Sequence, residues 1–307
     1  MKETESKLEI DIKGSPFESP LQPTKLGLDD TIQFRCHESI ACFNQCCRNI
    51  DIQLTPYDVI RLKQRLGMTS REFLDEFTWP FEMDHHGMPG VKLKPVDKGS
   101  ACRFVNAEGC SVYEDRPAAC RYYAMGHMTM RKQESTEAED VYFMVKENHC
   151  LGHDEPRTIT VGEYRKDQRV EEYDDLTAHW RRLVLKKRSA GPTVGKPTPR
   201  SFQLWFLASY DIDGFREFVL SPSFDDVFLL SDKDKERLQM DDIELMKFAS
   251  RFLDQVMFGV FTIARRADAR EKRLAKARER KQLHDKVARV LIEADLDEAG
   301  KRTGLQQ

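Results

Sequence analysis

Eight cysteines are the residues of this chain best suited to chemistry. All lie between Cys36 and Cys150, and four crowd into the run Cys36-His-Glu-Ser-Ile-Ala-Cys42-Phe-Asn-Gln-Cys46-Cys47. The 157 residues after Cys150 contain none. Thiolates are soft ligands suited to zinc, iron and iron–sulfur clusters. The opening Met1-Lys-Glu-Thr-Glu-Ser-Lys7 is polar and lacks the apolar core of an export signal. Thiols concentrated in such a chain read as a metal or cluster site rather than a disulfide framework. One tetrahedral centre takes about four ligands, so eight cysteines could fill two centres, or one with thiols to spare. Adjacent side chains diverge and rarely ligate one ion. Cys46 and Cys47 therefore suit one centre each, or a ligand beside a supporting or redox thiol; a vicinal disulfide would be strained.

The later cysteines follow the spacing Cys102-x7-Cys110-x9-Cys120, with Cys150 thirty residues on. No Cys-x2-Cys pair is present, so zinc-finger and ribbon signatures are excluded, as are the standard ferredoxin spacings. Spacing thus points to a cysteine-ligated metal and leaves open which metal. His37, His85, His86, His127, His149 and His153 are candidate supplementary ligands, and His37 and His149 each adjoin a cysteine. Each taken singly is better explained as a surface or core histidine.

The order of residues around the cysteines carries a resemblance. Cys42-x3-Cys46-Cys47 is followed by Leu54-Thr-Pro-Tyr-Asp58, then Cys102, then Gly109-Cys-Ser-Val-Tyr-Glu-Asp-Arg-Pro-Ala-Ala-Cys-Arg121. This closely resembles the YkgJ-type cysteine-cluster family, described as zinc- or iron-chelating, over roughly Phe34 to Cys150. The most specific match is Cys110-x-x-Tyr-Glu-x-Arg-Pro-x-x-Cys120-Arg. Short family members space the first cluster more tightly than the five residues between Cys36 and Cys42 and the three between Cys42 and Cys46. The resemblance implies metal binding and, by similarity to flagellin lysine methylases that share the cluster, an iron–sulfur centre. The expected ligands are Cys42, Cys46, Cys47, Cys102, Cys110 and Cys120, with Cys36 and Cys150 next. Beside them, Arg116 or Arg121 could offset the charge of a polythiolate site or bond its sulfurs, with Glu114 and Asp115 positioning the arginines. Tyr113, Tyr122 and Tyr123 are expected to wall the site from water.

The elements that must position these residues carry clear local signals. Thr55-Pro-Tyr-Asp58 caps a helix whose apolar positions Val59, Ile60, Leu62 and Leu66 run to a stop at Gly67. Thr69-Ser-Arg-Glu72 is a capping box opening a second helix, through Phe73, Leu74 and Phe77. Val91-Lys-Leu-Lys-Pro-Val96 alternates as a strand does, and the turn Ala107-Glu-Gly109 predicts a hairpin with Cys102 and Cys110 at its ends. Arg116-Pro117 begins a short helix or turn presenting Cys120. Thr160-Val-Gly-Glu163 caps a helix expected to run through Val170, Tyr173, Leu176 and Trp180 to about Lys187. Beyond it, Leu245, Phe248, Ala249, Phe252, Leu253, Val256, Met257 and Val260 form one stripe of a helix, read as core.

The expected fold class is α+β: a mainly helical cysteine-cluster domain with a few short strands, and a helical C-terminal region. The domains read as an N-terminal arm (1–30), the cysteine-cluster domain (31–188), a Pro/Gly linker (189–200), a helical region (201–263), and a basic helix and tail (264–307). With a net charge of −3 no global field draws the chain to nucleic acid or membrane, and the run near Val256–Ala264 is too short to span a bilayer. A cytoplasmic protein is expected. From Ala264 to Leu291 eleven Lys or Arg stand against four Asp or Glu. This is a solvated helix or a docking surface for a protein partner, and the lack of interleaved aromatic residues argues against nucleic acid. No Gly-x-Gly-x-x-Gly, P-loop or radical-SAM cysteine triplet is present. The leading reading is therefore a metal-binding protein holding iron, an iron–sulfur cluster or, alternatively, zinc. The others are an iron–sulfur enzyme of redox or methyl-transfer chemistry, and a metal-stapled scaffold whose basic helix binds a partner.

Overall fold

The computed structural model describes residues 24–84, 87–131, 138–189, 197–272, 274, 275, 278, 279 and 282. His85, His86, most of the N-terminal arm, most of the 189–200 linker and nearly all of the basic segment beyond 272 lie outside these residues. The fold is α+β, built from small antiparallel sheets packed among helices. The chain divides into two compact units, Met1–Arg216 with Glu236–Thr262, and Glu217–Lys235 with Ile263–Gln307. Every cysteine falls in the first.

In the first unit, strand β1 (Thr31–Gln33) leads to Cys36 in irregular chain, to Cys42 in a turn, and to Cys46 and Cys47 in a single 3-10 turn at Gln45–Cys47. Strand β2 (Gln53–Leu54) and helix α1 (Pro56–Leu66) follow. The Thr55 side chain accepts the Asp58 amide while the Asp58 carboxylate accepts the Thr55 amide, and Gly67 ends the helix at φ 67°. The same reciprocal cap at Thr69 and Glu72 opens α2 (Ser70–Phe77). Strands β3 (Thr78–Glu82) and β4 (Pro89–Leu93) then complete a sheet of order β2-β4-β3. Pro80 is accommodated because β3 is an edge strand.

A hairpin is present as β5 (Val105–Asn106) and β6 (Gly109–Cys110), with Cys110 at its end; Cys102, expected at the other end, lies before β5 in an isolated bridge with Pro95, and the helix presenting Cys120 is α3 (Ala118–Tyr122). The longest pairing is β7 (Met125–Arg131) with β8 (Ala138–Met144), for which the sequence gives no clean alternation. Strand β9 (Thr158–Thr160) closes against β1. The single helix expected from Thr160 to about Lys187 is two: α4 (Val161–Asp167), with the Thr160–Glu163 cap in place, and α5 (Glu171–Arg188). Arg169 breaks them at φ 52°, so that Val170 turns fully into the core.

That core gathers Ile32, Phe34, Tyr122, Met125, Tyr142, Ile159, Val161 and Tyr164, and Cys150 packs on its edge. Helices α6 (Pro199–Ser209) and α10 (Asp242–Phe258) belong to the same unit, joined in chain order by α7 (Ile212–Val219), α8 (Pro222–Asp225) and α9 (Asp232–Met240). Buried Trp205 of α6 donates from Nε1 to the Pro89 carbonyl at 3.1 Å. The α10 stripe buries Leu245, Phe248, Ala249, Phe252 and Leu253. Gly259, at φ 70°, stops the helix, so Val260 lies outside it and is exposed. The second unit stacks Phe224 on Phe228 (4.6 Å between ring centroids) and pairs Phe228 with Arg265 across an isolated bridge. Among the described residues no helix is long and apolar enough to cross a membrane.

Candidate metal centre

None of the eight cysteines is in a disulfide. Two backbone bonds and one amide-to-sulfur bond bring several of their segments together. The Arg35 amide donates to the Gly152 carbonyl at 3.0 Å, which lays Cys36 beside the Cys150 segment. Only glycine fits at 152, because a Cβ there would sit 2.6 Å from the Phe34 ring and 2.9 Å from the Arg35 carbonyl. The Leu151 amide donates to Cys42 Sγ at 3.3 Å, tying Cys42 to the same segment. Asn44 takes the left-handed conformation (φ 63°) and turns the chain into the Gln45–Cys47 turn. There the Sγ atoms of Cys46 and Cys47 stand 3.9 Å apart, closer than divergence of adjacent side chains led one to expect.

A second set of contacts gathers the remaining thiols. The Cys102 amide donates to the Cys47 carbonyl at 2.7 Å, and Cys102 Sγ accepts the Phe104 amide at 3.5 Å. Cys110 pairs with Val105 across the hairpin, whose turn uses Gly109 at φ 130° against the Phe43 ring. The α3 helix carrying Cys120 is fixed at its start by fully buried Asp58, whose Oδ1 accepts the Ala118 amide at 2.8 Å.

The thiols feel one another. Burial, then Cys46, Cys42 and Cys150, push Cys36 up to about 11. Burial raises Cys150 too, with Cys42 and Cys46 adding to it. The hydrogen bond from Cys47 holds Cys46 down at about 7 and raises Cys47, on which burial, Cys46, Cys102 and Cys120 also act. Burial raises Cys120, Cys102 and Cys110, and Cys102 and Cys110 act in turn on Cys120. Partly buried thiols that oppose each other's ionisation are the groups a divalent cation stabilises most, since the ion's charge reverses that opposition. As the side chains stand, no three His, Cys, Asp or Glu side chains among the described residues are close enough to hold an ion. Each thiol turns on a single rotatable bond, so ligation requires rotation of side chains whose backbones are already placed. The donor chemistry fits zinc, iron or an iron–sulfur cluster.

Arg116 and Arg121 are both buried. Their hydrogen bonds go to oxygens rather than sulfurs. Arg121 donates to the carbonyls of Arg116 (3.0 Å), Gln168 (2.9 Å) and Glu114, and its guanidinium covers the Tyr173 ring. Arg116 donates to the Tyr113 carbonyl and to Gln168 Oε1, and its charge favours the Cys110 thiolate. The side chains of Glu114 and Asp115 do not hold these arginines: Glu114 pairs with Arg169 and Asp115 with Arg61. Gln168, which sequence reasoning passed over, does so, and only the helix break beside it could have drawn attention there. Tyr113 is exposed, Tyr122 is buried and donates to Asp174, and Tyr123 meets His149 Nε2 at 3.3 Å.

Of the candidate histidines, His37 faces Glu155 at 3.4 Å and His149 faces Glu147 at 3.7 Å, both flanking the Cys36–Cys150 side. His153 packs on Phe34 and contacts the Val145 carbonyl, while His127 is boxed between the Tyr122 and Tyr142 rings with Asp140 and Asp174 at its nitrogens. These two are core histidines.

Residues 35–151 match the model of the CxxCxxCC family, described as a putative zinc- or iron-chelating domain. The match spans all eight cysteines and agrees with the resemblance carried by their motifs; it supports metal binding by this segment. No curated protein and no solved structure matches the chain.

Proposed function

We propose that residues 35–151 hold a thiolate-ligated metal centre, with iron or an iron–sulfur cluster as its content and zinc as the alternative. The observation that carries this reading is eight free thiols on segments several of which are held beside one another, by the Arg35–Gly152 and Cys102–Cys47 backbone bonds and by the Leu151 amide on Cys42 Sγ. The amides of Phe104 and Leu151 aimed at Cys102 and Cys42 sulfurs add to it, because N–H donors to sulfur stabilise thiolates and tune cluster potentials. A reducing compartment such as the cytoplasm keeps such thiols free to ligate.

The test is elemental analysis with an absorbance spectrum on protein purified without air. Iron with acid-labile sulfide and broad visible absorption supports the cluster. Iron without sulfide supports an iron site, and zinc in a colourless protein supports a closed thiolate site. A chain that carries none of these, and takes up none on reconstitution, ends the reading.

A further inference from the structure

We propose that the open cleft between Trp79 and the loop from Lys94 to Arg103 is a docking site for an acidic segment of a partner protein. Docking there requires no bound metal.

Three cationic side chains, Lys94, Lys98 and Arg103, line the cleft against one carboxylate, Asp97, in a chain whose net charge is −3. Arg103 pairs with Asp97 at 2.7 Å, and Lys94 donates to the Asp75 carbonyl. The Lys98 ammonium and the Trp79 indole N–H have no hydrogen-bond or ion-pair partner among the described residues. Trp79 is 54% exposed on the edge strand β3, whereas Trp180 and Trp205 are buried. An indole left half in water forgoes much of its burial energy, and an uncovered tryptophan beside arginine and lysine has the composition of a docking hot spot.

The loop adds a second observation. Lys98 holds φ 60°, in the left-handed region that side chains with a Cβ enter at a cost. The Gly99 amide closes the turn onto the Val96 carbonyl at 3.1 Å, and a Cβ on Gly99 would meet Val96 Cγ2 at 2.9 Å. The turn thus presents a lysine where glycine would be less strained. Its backbone is fixed from behind: the Val96 amide donates to the Ala101 carbonyl at 2.8 Å, Pro95 bridges to Cys102, and Arg103 Nε donates to the Pro95 carbonyl at 3.0 Å. The loop is therefore placed before a partner arrives, which lowers the ordering cost of binding.

Charge and shape select the occupant. The excess of cations calls for an acidic partner. Every polar side chain lining the cleft is half-buried or exposed, so no buried group is present to orient a small anion. Pro80 interrupts the donors of the β3 edge, which disfavours strand addition there. One tryptophan and three cations are fewer than a nucleic-acid track uses.

The probe is a synthetic peptide of glutamates and aspartates around one central leucine, titrated into the full chain at low salt while acrylamide quenches tryptophan emission. Because Trp180 and Trp205 are buried, quenching reports Trp79. The peptide should shield Trp79, less so as salt rises, and the same peptide with lysines in place of its acids should not. Lys98→Gly suits the left-handed turn, so it should melt close to wild type yet bind the peptide several-fold more weakly. Lys94→Glu combined with Lys98→Glu should abolish the shielding. No shielding of the wild-type chain overturns the docking site. Wild-type affinity in Lys98→Gly does so too, by placing the peptide elsewhere. Stronger protection of Trp79 by inorganic pyrophosphate or by a single-stranded oligonucleotide than by the peptide would overturn it in favour of that occupant. Metal content is measured separately, so neither result bears on the metal centre.

Discussion

The backbone amide of Cys102 donates to the backbone carbonyl of Cys47 across 2.7 Å, joining two cysteine segments 55 positions apart without using either sulfur. Scaffold and ligand can therefore be separated by experiment. Cys47→Ser keeps this bond and changes only the donor atom. The expected outcome is unchanged far-ultraviolet circular dichroism in the metal-free chain, with lower bound metal and a smaller rise in melting temperature on metal addition. Unchanged metal content would remove Cys47 from the ligand set.

Arg121 spans three carbonyls on both sides of the Cys120 helix, those of Glu114, Arg116 and Gln168. Removing its guanidinium leaves these groups without their donor, each unsatisfied buried acceptor costing on the order of 1–3 kcal/mol. Arg121→Met is expected to destabilise the chain by about 3 kcal/mol or more. Arg121→Lys should rescue little of it, because one ammonium cannot reproduce the planar fork. Urea unfolding of the metal-free variants measures this, and a rescue by lysine to near the wild-type midpoint would contradict it.

How much of this could be read from the chain depends on the range of the interaction. The caps at Thr55, Thr69 and Thr160 are local exchanges between residues three apart, and each is present as the residue types dictate. So are the Gly67 stop and the hairpin that carries Cys110. The break at Arg169 is different. An arginine at positive φ gives no signal of its own, and the break is held by burial of Val170 and by the Arg121 bond to Gln168, 47 residues away. The β7–β8 pairing was hidden for a similar reason. Its faces are set by contacts with distant elements, such as Leu26 bonded to Tyr142, and by Gly126 lying flat against the Phe143 ring. The cysteines themselves stood out by count and spacing. Which sulfur neighbours which is decided by tertiary contacts such as Arg35 with Gly152, which spacing does not encode.

Asn44 holds φ 63° immediately before the Gln45–Cys47 turn, and asparagine tolerates that region better than residues with branched Cβ atoms. Asn44→Gly is expected to melt within about 0.5 kcal/mol of wild type. Asn44→Val should cost on the order of 1–3 kcal/mol and lower bound metal, because the strain falls on the loop that carries both Cys42 and Cys46. Thermal melts with metal analysis on the two variants read this, and equal behaviour of glycine and valine would show that the conformation is not required.

Lys63, buried in α1, places its ammonium 3.2 Å from Asp213 and 3.0 Å from Asp242, and Arg216 pairs with the same two carboxylates. Burial works to raise both carboxyls. It is outweighed at Asp213 by the Ser70 amide and Lys63, and at Asp242 by bonds and charge from Lys63, so both titrate below the ordinary aspartate value. Carboxyls lowered in the folded state contribute stability that is present above the unfolded pKa, about 3.9, and is lost as pH falls through the folded value. Lys63→Met should therefore cost about 3 kcal/mol at neutral pH, since it strips a charge from a buried network and leaves two carboxylates sharing one arginine. The gap to wild type should narrow as pH falls below about 4, where the unfolded chain begins to bind protons that the folded wild-type carboxylates take up only at lower pH. Metal content should not change, because Lys63 contacts none of the thiols. Unfolding midpoints from about pH 3 to 7 measure the gap, and a gap independent of pH would show that Lys63 acts through packing alone.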